Sequence, residues 1–146
     1  MFRGRYFHTV DPKGRLSIPA KFREVLKERY GSTLIVANFD DCLMAYPLEE
    51  WTKLEEKLLQ LPSLQLEVRT FLRRFASSGV ECEVDSHGRA LLPPQSREFA
   101  GLSRDVVLLG MMNKFEIWSR ERWDEFMRRS ESDFEETAQK LSALGV

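Results

Sequence analysis

The chain has 146 residues, with 22 Lys and Arg against 23 Asp and Glu and a formal net charge of −1. Apolar residues make up 42% and charged residues 31%, which suits one globular domain or two half-size lobes with a buried core. These figures exclude a surface coated in positive charge, a membrane span of roughly 18 unbroken apolar residues and a disulfide scaffold, since only Cys42 and Cys82 are present.

Taken in chain order, residues 2–10 are rich in β-formers, with Phe2, Tyr6, His8 and Val10 at one parity, and predict a strand. Asp11-Pro12-Lys13-Gly14 predicts a turn: Asp bonds local backbone, Pro presets φ and Gly accepts a positive φ. Leu16–Ile18 returns as a short strand. Pro19 precedes a helix over 20–29 with Phe22, Val25 and Leu26 on one face, which Gly31 stops. Thr33–Phe39 and Cys42–Tyr46 predict a hairpin about Asp40-Asp41. A helix over 48–61 places Leu48, Trp51, Leu54 and Leu58 on one face and ends at Pro62, and residues 64–75 place Val68, Phe71, Leu72 and Phe75 on another.

The pattern then starts again. Val80, Cys82 and Val84 alternate, Asp85–Gly88 turns, Ala90–Leu92 returns, and a short helix is expected over 95–99. Val106–Met111 and Phe115–Trp118 predict a second hairpin. A helix with Trp123, Phe126 and Met127 follows. A last one is opened by a Ser132–Glu135 capping box and striped by Phe134, Ala138 and Leu141.

The restart is an internal repeat. Residues 10–24, VDPKGRLSIPAKFRE, and 84–98, VDSHGRALLPPQSRE, share seven identities in fifteen positions at an offset of 74. Two copies are too few for a solenoid and predict one pseudo-symmetric body. The fold class is α+β. Units at 5–50 and 76–122 are joined by helices at 51–75 and closed by helices at 123–146.

Charge is unevenly divided. Residues 1–29 hold eight basic and three acidic residues, a local +5, whereas residues 40–67 carry −5 and the last sixteen −3. Arg3 and Arg5 share strand parity, and Lys13 and Arg15 lie at the turn tip, so the first unit carries clustered bases that read either as the footprint of a nucleic-acid binder or as a solvated, salt-bridged surface. The turns Asp11-Pro-Lys-Gly14-Arg15 and Asp85-Ser-His-Gly88-Arg89 admit two readings. In one, Arg folds back on Asp and the turn is structural. In the other, the tip projects Arg into the major groove, where guanidinium donates two bonds to guanine O6 and N7. On the second reading Lys13 and Arg15 are the main reading residues and Arg89 is second. Lys13 and its equivalent His87 meet phosphate or base edges, and Arg3 and Arg5 contact phosphates.

These motifs resemble the MraZ family, bacterial transcriptional regulators built from two AbrB-like units. The resemblance rests on the opening Met-Phe-Arg-Gly, the Asp11-Pro-Lys-Gly-Arg-Leu-Ser-Ile-Pro19 run, Tyr46-Pro-Leu-Glu-Glu-Trp51, Asp85-x-x-Gly-Arg89 and Asn113-Lys-Phe-Glu-Ile-Trp118. It implies an AbrB-like, double-psi-type swapped-hairpin β-barrel, formed here by two repeats of one chain. It implies assembly into closed rings and binding of G-rich direct repeats. Those repeats lie upstream of the operon of cell-division and cell-wall genes that includes the regulator's own. It implies repression of that operon, association with the nucleoid, and DNA contact through Arg15 and Arg89. The second copy departs from the pattern with Ser86-His87 in place of Pro12-Lys13.

Other chemistry is not expected. His8, His87, Cys42 and Cys82 lack the paired short spacing of a metal site, and no phosphate loop, dinucleotide fingerprint or nucleophile elbow is present. The expectation is therefore no enzyme, no cofactor, no metal and no small-molecule substrate. The opening stretch lacks a secretory signal and the cysteine usage fits a reducing compartment, so a cytoplasmic location is expected. The rival reading is a protein-binding ring in which the Asp–Arg turns are structural.

Overall fold

Two antiparallel sheets carry the fold, and both are built across the repeat. The computed structural model describes residues 1–146. In the first copy β1 is Arg5–Thr9, β2 Arg15–Ser17, α1 Ala20–Arg29, β3 Thr33–Phe39 and β4 Cys42–Pro47. Helices α2 (Leu48–Leu59) and α3 (Leu66–Arg74) and a 3-10 turn at Ala76–Ser78 lead into the second copy. There β5 is Val80–Glu83, β6 Arg89–Leu91, α4 Pro94–Ala100, β7 Asp105–Gly110 and β8 Phe115–Ser119, followed by α5 (Arg120–Glu131) and α6 (Phe134–Ser142).

The large sheet has the order β1-β7-β8-β4-β3-β5, and β2 and β6 form a separate two-stranded ribbon. The order reads the same from both ends if each strand is replaced by its repeat equivalent. The pseudo-two-fold axis therefore passes between β4 and β8, which pair with Met44 opposite Glu116. The outer pairings are exchanged between copies: β1 pairs with β7, with Tyr6 opposite Leu108, and β5 pairs with β3, with Cys82 opposite Leu34. Within its own copy each first strand keeps only an isolated bridge to the strand after the turn, Val10 to Leu16 and Val84 to Ala90.

The main core lies between the inner face of the large sheet and a layer made of the ribbon, α1 and α4. Alternation puts Leu16 of β2 and Ala90 of β6 inward, and helical spacing puts Phe22 and Leu26 of α1 beside them. Phe22 packs edge-on against Phe2 at 5.3 Å and Tyr6 at 5.2 Å between ring centroids, and tilted against Phe115 at 5.0 Å. The outer face of the sheet is covered in two patches. Trp51 of α2 and Phe75 pack on Ile35, Ala37, Met44 and Tyr46, while Trp123 of α5 packs with Trp118 on Val107 and Leu109. All three tryptophans are thus core residues. Cys42 and Cys82 are free and buried. Burial raises both thiols, Cys82 to about 11, so both are inert thiols rather than nucleophiles.

Three local expectations change. The first strand is interrupted at Gly4 (φ 95°), so Phe2 joins only through an isolated bridge to Met112. The short helix runs over 94–100 because Pro94 is tolerated in its first turn and Gly101 closes it in the left-handed conformation (φ 65°). The Ser132–Glu135 capping box does not form. Helix α5 continues to Glu131 and leaves Ser132 with helical angles as its C-cap, whereas a side-chain-capping N-cap residue typically has extended ones. Asp133 stands at the N-cap of α6 without a side-chain capping bond. No helix is long and apolar enough to cross a membrane.

Candidate nucleic-acid interface

The two Asp-x-x-x-Arg turns flank the ribbon, and its register decides where their side chains go. In the β2–β6 pair Arg15 lies opposite Leu91, Leu16 opposite Ala90, and Ser17 opposite Arg89. Directly opposed residues in an antiparallel pair share a face, and successive residues alternate. Leu16 and Ala90 are 0% and 1% exposed and fill the core. Arg15, Ser17, Arg89 and Leu91 therefore form the outward face. The ribbon extends at each end into the other copy's turn, since Ile18 N donates to Gly88 O and Leu92 N to Gly14 O, both at 2.9 Å. One exposed surface thus joins both motifs.

Each turn is a cage closed by its Asp. Asp11 Oδ1 accepts the backbone amides of Lys13 and Arg15, both at 2.9 Å. Asp85 Oδ1 accepts those of His87 at 2.9 Å and Arg89 at 3.0 Å. Asp11 N donates to Arg15 O and Gly14 N to Asp11 O, and Asp85, Arg89 and Gly88 repeat both bonds. Gly14 (φ 88°) and Gly88 (φ 76°) take the left-handed conformation that closes the cage.

The arginines differ. Arg15 Nε donates to Asp11 Oδ2 at 2.6 Å, which fixes the plane of the guanidinium and engages neither of its terminal nitrogens. Arg89 Nε lies 3.8 Å from Asp85 Oδ2, is buried and has no hydrogen-bond partner. The first motif is a pre-set donor fork, and the second is the same backbone cage with a looser arginine. Lys13 and His87 are exposed at the two tips.

A further pair of arginines belongs to the site and was not singled out from the sequence. Arg23 of α1 donates from Nε to Ile18 O, and Arg97 of α4 to Leu92 O, both at 3.1 Å. Each guanidinium then crosses to the other copy's turn. A Cβ on Gly14 would lie 2.8 Å from Arg97 Nε, and one on Gly88 would lie 2.6 Å from Arg23 Cδ. The glycines thus make room for the clamps as well as taking the required φ. The signal was in the repeat, where Arg23 and Arg97 are identical at the offset of 74.

Arg5 is not brought to this surface. Arg3 is exposed next to the Gly4 bend. His8, on the ribbon side of β1, meets Ser17 O through Nδ1 at 2.6 Å. Arg5 therefore points to the opposite face of the sheet, where its guanidinium lies over the Trp123 ring at 5.2 Å.

The cages carry a pH dependence. The Arg15 amide is the main influence holding Asp11 below the usual carboxylate range, with burial opposing it and the Arg15 side chain and Lys13 amide adding to it. For Asp85 the Arg89 amide leads, again against burial, with the His87 amide adding. A carboxylate whose folded value is depressed stabilises the fold at pH above its unfolded value, near 3.9. That contribution is lost as the pH falls, because the unfolded chain there binds more protons. Melting temperature should therefore fall as the pH drops below about 4, and it should fall less steeply in an Asp11→Asn, Asp85→Asn double variant. Equal slopes in calorimetric scans would remove the two carboxylates from the acid response.

Comparison with known proteins identifies the family. The family model described as MraZ protein matches residues 1–74 and again 75–143. A protein of Desulfitobacterium hafniense (strain Y51) is 48% identical over 146 residues, covering the whole of both chains. One of Syntrophobacter fumaroxidans is 43% identical over 145 residues, 99% of this chain and 97% of its own. One of Heliobacterium modesticaldum is 48% identical over 141 residues, 97% of this chain and 96% of its own. Each is named transcriptional regulator MraZ. The family is one of regulators and not of enzymes, and the two matched segments each contain one Asp-x-x-x-Arg turn. By sequence over its full length, this chain belongs to the MraZ family.

Proposed function

We propose that the chain is a sequence-specific, double-stranded-DNA-binding transcriptional regulator that represses the operon containing its own gene together with cell-division and cell-wall genes. The observation that carries this reading is the outward ribbon face with an Asp-anchored Arg15 fork at one end and Arg89 at the other. A two-stranded ribbon fits the major groove, and a guanidinium held in its plane matches guanine O6 and N7. The G-rich direct repeats implied by the family resemblance suit such a reader.

One ribbon spans few base pairs and binds weakly. A closed homo-oligomeric ring, the second part of this proposal, multiplies the contact by presenting several ribbons to successive repeats at high effective concentration. Exchange of strands between the copies supports a further element, closure of the ribbon and sheet into a swapped-hairpin barrel of double-psi type. Lys13 and His87 are assigned to phosphate or base edges at the tips. Arg3 and Arg5, the latter on the other face of the sheet, are assigned to phosphates of a flanking segment of duplex. Work on DNA places the protein in the cytoplasm, at the nucleoid.

Footprinting on DNA upstream of the gene, with mobility-shift titration over a range of salt, tests the proposal. Protection of a set of direct repeats and a steep fall of affinity with salt are expected, by about 0.9 logarithmic units per logarithmic unit of salt for each phosphate neutralised. A flat salt response without protected repeats would leave the protein-binding ring as the better reading, with the Asp11–Arg15 pair as a purely structural lock.

A further inference from the structure

The outward ribbon face obeys the pseudo-two-fold except at one pair of equivalent positions. Arg15 and Arg89 are repeat equivalents, but the partner of Ser17 under the repeat is Leu91. Leu91 lies directly opposite Arg15 in the ribbon register. It is 58% exposed, while its neighbours Ala90 and Leu92 are each 1% exposed. An isobutyl group thus stands in solvent between two guanidinium groups, on the surface assigned to DNA, where its counterpart in the other copy is a hydroxymethyl.

We propose that Leu91 is a specificity-determining residue that seats against the C5-methyl group of a thymine beside the guanine read by Arg15. The inference rests on the DNA-binding reading and deepens it. Leucine neither donates nor accepts a hydrogen bond, so it cannot read the polar edges of bases. The apolar group that the floor of the major groove offers is the thymine methyl. Opposed Cα atoms in an antiparallel pair are about 4.5–5.5 Å apart, and base pairs rise about 3.4 Å. The thymine therefore falls within one or two steps of the guanine. The charge of Arg15 and Arg89 argues for duplex DNA rather than an apolar protein partner as the occupant of this face. Because Ser17 cannot make the same contact at the other end, the ribbon distinguishes the two directions along the duplex. A symmetric pair of turns would read both directions alike; this one reads a site with polarity.

The test uses the full-length protein and synthetic duplexes copied from the DNA upstream of the gene, with each thymine replaced in turn by deoxyuridine, which removes only the methyl group. Binding is measured by fluorescence anisotropy for the wild type, Leu91→Ser and Leu91→Ala, with light scattering of each protein. Leu91→Ser installs the residue the other copy already tolerates at this position. The wild type should lose about fourfold in affinity per repeat at one thymine position, the burial of roughly one methyl group. Both variants should bind more weakly than the wild type and be indifferent to that replacement. Sensitivity to deoxyuridine that persists in the variants, or its absence in the wild type at every position, would overturn the assignment. So would a change of assembly mass in Leu91→Ser, which would make the residue a contact between copies. Failure of the wild type to prefer the upstream duplex over a scrambled one would instead remove the DNA reading itself.

Discussion

Arg15→Ala should abolish sequence-specific DNA binding while leaving the fold and the assembly in place. The cage survives the change because Asp11 Oδ1 still accepts the amides of residues 13 and 15, and Gly14 N still donates to Asp11 O. The side chain is 35% exposed and fills no part of the core. What disappears is the fork anchored at 2.6 Å by Asp11 Oδ2. A bidentate guanine contact is worth about 1–3 kcal/mol, a factor of roughly 5 to 150 for one subunit. In a ring engaging several repeats the loss compounds, and binding should fall to the level of any duplex of the same length. Arg89→Ala should weaken binding less, because Arg89 Nε has no hydrogen-bond partner to hold its plane. Mobility-shift titrations against operator and scrambled duplex, with circular dichroism and light scattering on the same samples, check both variants. An Arg15→Ala protein that keeps its affinity and its preference would defeat the assignment of Arg15 as reader.

Phe22→Ala should cost about 3–5 kcal/mol of stability, the range for truncating a buried aromatic side chain. Phe22 is 0% exposed and fastens α1, and with it the ribbon, to the inner face of the large sheet through Phe2, Tyr6 and Phe115. The surrounding rings are held by the sheet and cannot close over the void, so the cost belongs toward the upper end. A fold of this size has about 5–15 kcal/mol in total, and the melting temperature should drop by roughly 10–20 °C. Chemical denaturation with urea gives the difference directly. Phe22→Leu, which keeps most of the volume, should cost far less. A loss below about 1 kcal/mol for the alanine variant would mean that α1 is not anchored by this ring.

The local elements were legible because their signals are local. The turn at 11–14, the helix with Phe22 and Leu26 inward, and the two hairpins follow from residue type and spacing, and the repeat at an offset of 74 supplied their duplication. The pairing of β1 with β7 and of β5 with β3 was not readable from these patterns, because alternation tells a strand which face is buried and not which strand lies beside it. The same gap hid the site's real shape. Arg15 and Arg89 were each visible in a turn, but only the β2–β6 register puts them on one face with Leu91. Parity grouped Arg3 with Arg5, yet could not show that the strand bends at Gly4 or that Arg5 is turned toward Trp123. Arg23 and Arg97 were visible as repeat identities, while their reach across to Gly88 and Gly14 depends on how the two copies dock. Ser132 and Glu135 had the right spacing for a cap, but Ser132 is taken up as the C-cap of α5.

The exchange of strands has a consequence for the birth of the protein. When the first copy leaves the ribosome, β1, β2 and the outer edge of β3 have no partners, because β7, β6 and β5 have not yet been made. Contacts so distant in sequence form slowly and leave open edges in the meantime. The first half of the chain therefore stays an incomplete sheet until the second half is synthesised and supplies its partner strands. A gene product cut off between the copies would carry an intact Asp11–Arg15 turn with no ribbon on which to present it.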